Sequence, residues 1–180
     1  STLCDTLFPY TTLFRSQNTT KPYKGFRKGR YVSMVENDMT RLRQQVPELD
    51  IITPYMFGGN KKAVVGEYSF DATVAGVDHD YARVAPPVMY YGRYINEMDV
   101  RQARKVCVIG KEVYKKLFPG GGDPCGRRIR VDAAYYTVVG VDYKVNGINI
   151  SGRPDQLVTI PYTLFRKTYN TGDQIHSLAV

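Results

Sequence analysis

The sequence predicts an α+β fold, on three observations. Segments rich in β-forming residues outnumber helical ones, the two kinds are mixed without strict strand–helix–strand alternation, and short strands pair around turn residues. The expected architecture is a two-lobed mixed domain with short helices packed on small, largely antiparallel sheets, incomplete at the C-terminus.

Residues 17–30 are polar and basic, with Gly25 and Gly29, and read as a connector. Ser33 followed by Glu36 makes a capping-box signature, in which each side chain satisfies a free backbone N–H at a helix start. Val35, Met39, Leu42 and Val46 recur at helical spacing and Pro47 ends the run, which predicts an amphipathic helix over 33–46. Leu49 to Phe57 reads as a strand bent at Pro54, Gly58 to Asn60 as a turn toward Ala63 to Val65, and Tyr68 to Val77 as a second strand. Pro86 and Pro87 then break the chain. Lys105 to Ile109 is a buried strand, Gly110 a turn, and Lys111 to Phe118 a short helix with Val113 and Leu117 facing inward. Arg128 to Val131 and Tyr135 to Val141 are the arms of a hairpin around Asp132, Ala133 and Ala134. A loop over 146–152 leads to the strand Gln156 to Ile160, a short helix opened by Pro161 and Thr163 toward Tyr169, and a last strand beginning at Ile175.

Thr6 to Ser16 read TLFPYTTLFRS, which one frame of a widely used short-read sequencing adapter translates to without a mismatch. Residues 1–16 are therefore expected to be adapter translation, outside the fold and unpacked against the rest, and Cys4 goes with them. The segment PYTLFR at Pro161 to Arg166 echoes part of it, but one short echo without flanking similarity is not a repeat architecture.

The 180 residues, 43% hydrophobic and 23% charged, suffice for one sizeable core. No stretch approaches the roughly 18 to 20 consecutive apolar residues of a membrane-spanning helix, and no signal-peptide pattern opens the chain, so as it stands it reads as soluble. A net charge of +8 and a pI of about 9.4 bring nucleic acid or an anionic membrane surface into consideration. Lys21, Lys24, Arg27, Lys28 and Arg30, interleaved with Tyr23, Phe26 and Tyr31, have the residue types for phosphate neutralisation and base stacking. No RNP, KH or zinc-knuckle signature accompanies them, and a solvated connector is the preferred reading.

Catalytic, cofactor and metal sites find no positive signal. The glycines 120–122 invite a phosphate-loop reading, but Asp123 and Pro124 follow where a Walker loop needs Gly-Lys-Ser/Thr, so a turn is expected. His79 lies between Asp78 and Asp80, while His176 is alone far downstream; a surface loop is preferred over a metal site. No GxSxG, HExxH or local Cys/His signature occurs. Cys107 and Cys125 stand where small hydrophobes fit, so two buried free thiols are expected, with pairing in an oxidising compartment as the alternative.

Six phrases then occur in order: Gly92-Arg93-Tyr94-Ile95 followed by Asp99; Val106 to Gly110; Leu117-Phe118-Pro119; Asp123 to Gly126; Tyr136 to Val141; and Val158 to Pro161. Together, over roughly residues 23–180, they resemble the MacB-like periplasmic core domain of ABC transporter permeases, with Cys125 departing from the larger aliphatic residue usual after the Asp-Pro. The resemblance implies residues 17–32 as a membrane-proximal connector and 33–180 as a truncated periplasmic core domain. It implies an inner-membrane permease that dimerises, works with a separate ATPase subunit and contacts exported substrate or a periplasmic adaptor, relaying ATP-driven motion. It transfers no catalytic residue, and no nucleic acid is expected as a partner. A soluble basic nucleic-acid-binding or general binding module is the alternative. The basic connector runs against the positive-inside bias, of which only one flank is present here.

Overall fold

Thr53 to Val77 folds back on itself as one long antiparallel hairpin, and every other strand of the main sheet joins it directly or through intermediaries. The computed structural model describes residues 13–15, 17–18, 27–29, 31–32, 34–144 and 153–180. In chain order the elements are β1 (Leu13–Arg15), β2 (Gln17–Asn18), β3 (Tyr31–Val32), β4 (Met34–Val35), α1 (Glu36–Gln45), β5 (Thr53–Val65) and β6 (Tyr68–Val77). They continue with α2 (Tyr81–Val84), β7 (Met89–Gly92), α3 (Glu97–Arg101), β8 (Val106–Gly110), α4 (Lys111–Leu117), β9 (Arg128–Val131) and β10 (Ala134–Asp142). A 3₁₀ turn at Pro154–Gln156 leads to β11 (Leu157–Pro161), α5 (Tyr162–Tyr169), β12 (Gln174–Ile175) and β13 (Ser177–Ala179).

Among the described residues nine strands join one sheet, in the order β1-β13-β5-β6-β11-β8-β10-β7, with β9 bridging β10 and β5. That bridge makes the pairing circular: β5, β6, β11, β8, β10 and β9 return to β5. Pairing is largely antiparallel, the parallel pairs being β10 with β8 and β11 with β6. Against this sheet lies a smaller layer, in which α1 sits beside the β4–β12 pair, and Met39 and Ile175 of that layer share one core with the sheet.

Residue chemistry accounts for most of these elements. Ala72 to Val77 are all buried, as a strand covered on both faces requires. Phe165 of α5 packs against Gly76, at a point where a Cβ would collide with its ring. In β9 the exposed Arg128 and Arg130 alternate with the buried Ile129 and Val131, the period-2 pattern of a strand with one face on the core. The core gathers Tyr55, Met56, Val74, Ile109, Leu117, Ile129, Tyr136, Ile160, Phe165, Ile175 and Leu178, each almost wholly buried.

Three expectations are corrected. Gly58 to Asn60 is not a turn: β5 runs on through it with a bulge between Phe57 and Asn60, and the chain reverses at Gly66 and Glu67. The first helix begins at Glu36, and the Val35 N–H donates to Asp38 Oδ2 at 2.9 Å, while the Glu36 carboxylate is drawn away by Tyr162 and Arg166. Ser33 lies outside the described residues. The third concerns residues 1–16: β1 pairs antiparallel with β13, from Leu13 opposite Ala179 to Arg15 opposite Ser177, so residues 13–15 do meet the rest of the chain. Such pairing is main-chain chemistry, open to any extended segment at a free edge, and says nothing about the segment's origin. On α1, Met39 is buried, whereas Val35, Leu42 and Val46 are half-buried.

Gly92 shows how tightly the edge of the sheet is drawn. Its φ is +64°, and a Cβ there would run into the Val139 carbonyl oxygen and lie 2.5 Å from Cys125 Sγ. Gly92→Ala is expected to destabilise the domain by about 2 kcal/mol or more, combining left-handed backbone strain with the clash. Urea denaturation of the two proteins measures it; equal midpoints would contradict this packing.

Candidate functional site

Where the small layer meets the main sheet, one guanidinium gathers most of the polar contacts. Arg166 lies in the last turn of α5 with a side chain only 18% exposed. Its Nη1 donates to Glu36 Oε2 at 2.7 Å, its Nη2 to Asp173 Oδ1 at 2.5 Å and its Nε to the Gly172 carbonyl at 2.6 Å. The Tyr162 hydroxyl donates to Glu36 Oε1 at 3.2 Å, and the Glu36 N–H to the Asp173 carbonyl at the same distance. Burial, with the carboxylates of Glu36 and Asp78, pushes the Tyr162 phenol up to about 12, so it stays a donor. The planar fork of arginine serves three acceptors at once, which a lysine ammonium on its flexible stem does not reproduce in that geometry.

A second joint stands beside it. His176, between β12 and β13, accepts the Phe57 N–H at Nδ1 over 2.9 Å and meets the Phe165 ring edge-on. That donor belongs to the bulge of β5, so the imidazole supplies an acceptor where the ladder is interrupted. Burial holds the His176 pKa below its ordinary 6.5.

A third polar cluster fixes the loop between β7 and α3. Asp99 is fully buried and takes Arg93 in a two-pronged contact at 2.5 and 3.2 Å, with Arg104 at 3.7 Å. The Asn96 N–H donates to Asp99 Oδ2, and the Asp99 N–H to Asn96 Oδ1, a reciprocal cap on α3. Burial works to raise the Asp99 pKa, but hydrogen bonds from Arg93 and the Asn96 N–H, with the charges of Arg93 and Arg104, hold it below the usual carboxylate range.

The candidates read from the sequence fall elsewhere. The glycines 120–122 follow the C-terminus of α4, where carbonyls rather than N–H groups are free, and Gly122 accepts the Tyr114 hydroxyl, a polarity opposite to that of a phosphate cradle. His79 has the carboxylates of Asp78 and Asp80 beside it, and no set of three or more metal-ligating side chains occurs among the described residues. Cys107 is buried and Cys125 half-buried, and neither is bonded. Burial raises both thiols, that of Cys125 to about 11 with help from Asp123. Of the basic cluster, Arg27 and Lys28 are exposed; Lys21, Lys24 and Arg30 lie outside the described residues. A partly open cavity of about 40 Å³ is lined by Tyr55, Tyr81, Tyr94, Asp142, Lys144 and Thr159. It is far below the roughly 300 to 1,000 Å³ of a pocket for a drug-sized molecule, whereas open surface grooves of about 360 to 470 Å³ lie at the start of α1, along α5 and between the β5–β6 turn and the end of α4. Burial, then the neighbouring Tyr81, Asp142 and Tyr55, pushes the Tyr94 phenol well up, so the lining is uncharged at that hydroxyl.

Sequence reasoning missed the joints because their members are far apart. Glu36 and Arg166 are separated by 130 residues. Asp99 was legible only as an acid following Gly92 to Ile95.

An α+β scaffold whose polar clusters lock elements to one another has the make-up of a structural or binding domain. The chain belongs to the MacB-like periplasmic core domain family, which matches residues 6–180. The chain is thereby a periplasmic domain of the type found in MacB-like ABC transporter permeases. It is 26% identical over 122 residues to the macrolide export ATP-binding/permease protein MacB of Chlorobium luteolum, covering 68% of this chain and 18% of that protein. The pyoverdine export ATP-binding/permease protein PvdT of Pseudomonas aeruginosa is 28% identical over 132 residues, covering 73% and 20%. The chain thus spans about a fifth of the length of these relatives. Its fold is that of the periplasmic region of MacB from Actinobacillus actinomycetemcomitans, with a TM-score of 0.72 and 23% identity over 94% of this chain and 72% of that one. The extracellular domain of the Gram-positive transporter YknZ gives 0.70 and 20%, over 82% and 72%.

Because folded His176 binds its proton less readily than the unfolded chain does, the unfolded state holds more protons as pH falls below about 6.5. Stability is therefore expected to drop on acidification from about pH 7.5 to about pH 5.5, and His176→Gln to flatten that part of the profile. Urea midpoints across this range check it; an unchanged slope in the variant would remove His176 as the cause.

Proposed function

We propose that this domain belongs to a membrane-anchored permease subunit of an ABC transporter, stands on the periplasmic side, and relays motion between the membrane and an exported substrate or periplasmic partner. Shape and coupling carry that task, and the domain itself performs no chemistry. The permease dimerises, and ATP is hydrolysed outside this domain. The sequence suggested a separate ATPase subunit, whereas the names of the relatives join ATP-binding and permease in one protein; the extended reading frame distinguishes the two.

The observation that carries the reading is the Arg166 joint. α1 follows the connector over 17–32 in sequence, and Glu36, the first residue of α1, is held by α5 through Arg166 and Tyr162. Displacement of the connector would reach the main sheet through these contacts. The substrate class is open to the wider family's range, in which the relatives' names give macrolides and pyoverdine. Residues 1–16 we hold to be adapter translation, with the natural chain differing upstream of Gln17.

Extending the reading frame from genomic DNA amplified without adapters tests the whole reading. A span of about 20 apolar residues is expected shortly upstream of the connector and further spans downstream of Val180. A gene running only from near Gln17 to near Val180 would defeat the permease, and the same adapter codons in that DNA would defeat the contaminant. In the full transporter, Arg166→Gln is expected to cost the domain about 1–2 kcal/mol and to lower export while ATP hydrolysis persists. Undiminished export with a weakened joint would remove the joint from the relay.

A further inference from the structure

One face of the main sheet carries cations that the fold does not use. On β9, Arg128 and Arg130 are exposed, and Arg130 stands opposite Val64 of β5 on one side and Tyr135 of β10 on the other. Lys62 lies two residues from Val64 on the same side of β5 and is exposed. Arg128 faces Thr137, whose N–H donates to the carbonyl of the exposed Lys105. The Arg128 guanidinium lies 5.5 Å from the centre of the Tyr135 ring, which is 52% exposed. None of Lys62, Lys105, Arg128 and Arg130 has an ion-pair partner among the described residues. Asp71, the register partner of Lys62, and Asp132, already held by Lys61, are the acids at its border, and Glu67 stands beyond in the hairpin turn.

We propose that this β9–β10 face docks an acidic segment of a protein partner, with Arg128, Arg130 and Lys62 supplying the charge and Tyr135 a stacking surface. Free guanidiniums next to an exposed aromatic ring are the residue chemistry of an interface that reads carboxylates, and opposite charge across such a face sets partner choice and encounter rate. Position selects a protein over a lipid surface. β4, which follows the connector in sequence, pairs with β12, and β13, directly after β12, meets β5 at Thr53, whereas β9 meets β5 at Ala63 and Val64. About 30 Å of strand separates the two ends, several Debye lengths at physiological salt. This choice of partner rests on the reading of residues 17–32 as the membrane-proximal connector; the charge of the face does not.

The test uses the 180-residue chain and a fluorescein-labelled decaglutamate peptide, followed by anisotropy at low and physiological salt. Two double variants remove the same net charge, Arg128→Glu with Arg130→Glu on the proposed face, and Arg41→Glu with Lys167→Glu on α1 and α5. All four residues are exposed, so both variants are expected to keep the thermal midpoint of the parent. Decaglutamate is expected to bind the parent in a salt-sensitive manner, to lose about tenfold in affinity on the first variant, and to change by less than about twofold on the second. No binding to the parent, or equal loss on both variants, overturns the proposal. So does tighter binding of phosphatidylglycerol vesicles or of a labelled thymidine oligonucleotide than of decaglutamate with the same sensitivity to Arg128→Glu and Arg130→Glu. The permease reading stands or falls on flanking membrane spans, so either can fail alone.

Discussion

β5 has to serve two partners along one of its edges. Its other edge is committed to β6 from Tyr55 to Val65, while the first edge is shared between β13 near the start and β9 near the end. The bulge between Phe57 and Asn60 divides the two regimes. A bulge adds a residue to one strand and sharpens the local twist, which is what lets the far half of β5 leave β13 and turn toward β9. Without it the register beyond would slip by one, and Ala63 would exchange its buried place for an exposed one. Pro54, which has no N–H to give, lies opposite Leu178 just before pairing with β6 begins, where the missing donor interrupts only one ladder. The closed circuit from β5 through β11 and back through β9 depends on this arrangement.

Much of the fold was legible because the signals were local. The α4 helix, the β9–β10 hairpin and the α5 helix each follow from periodicity and turn residues inside a window shorter than 20 residues. Gly58 and Gly59 misled for a physical reason: two glycines before an asparagine satisfy a tight turn and a bulge equally well, and the cross-strand partners decide between them. α2, β7 and α3, four or five residues each, gave too few repeats of any period to register. β1 was excluded on the origin of its sequence, a criterion blind to what an exposed sheet edge accepts.

The phrases that carried the family resemblance now have physical content. In Gly92-Arg93-Tyr94-Ile95 followed by Asp99, the glycine lets the backbone approach Val139 and Cys125, and the arginine and aspartate clamp the loop between β7 and α3. The Val-Cys-Val-Ile-Gly phrase ends at Gly110, packed against the backbone of Pro154 and Asp155. These positions report a shape shared with other periplasmic domains of the family. The joints at Arg166 and His176 were not legible, since a charge in a short helix and an isolated histidine acquire meaning only once β5, β12 and α1 are side by side.

The separation of Glu36 from Arg166 also bears on the order of events in folding. Closing a loop of 130 residues carries an entropy cost that grows with the logarithm of its length, and the contact returns little until the intervening sheet exists. α1 is therefore expected to dock late, after the hairpin and its partners have brought α5 into place. It is held at its start by hydrogen bonds and a two-residue β pair, and along its length by the buried Met39 and by Arg43, which donates to the Ile52 carbonyl, rather than by a long ladder. In native-state hydrogen exchange the α1 amides are expected to open at lower energy than those of the sheet, the layer parting at Met39 from a sheet that stays folded.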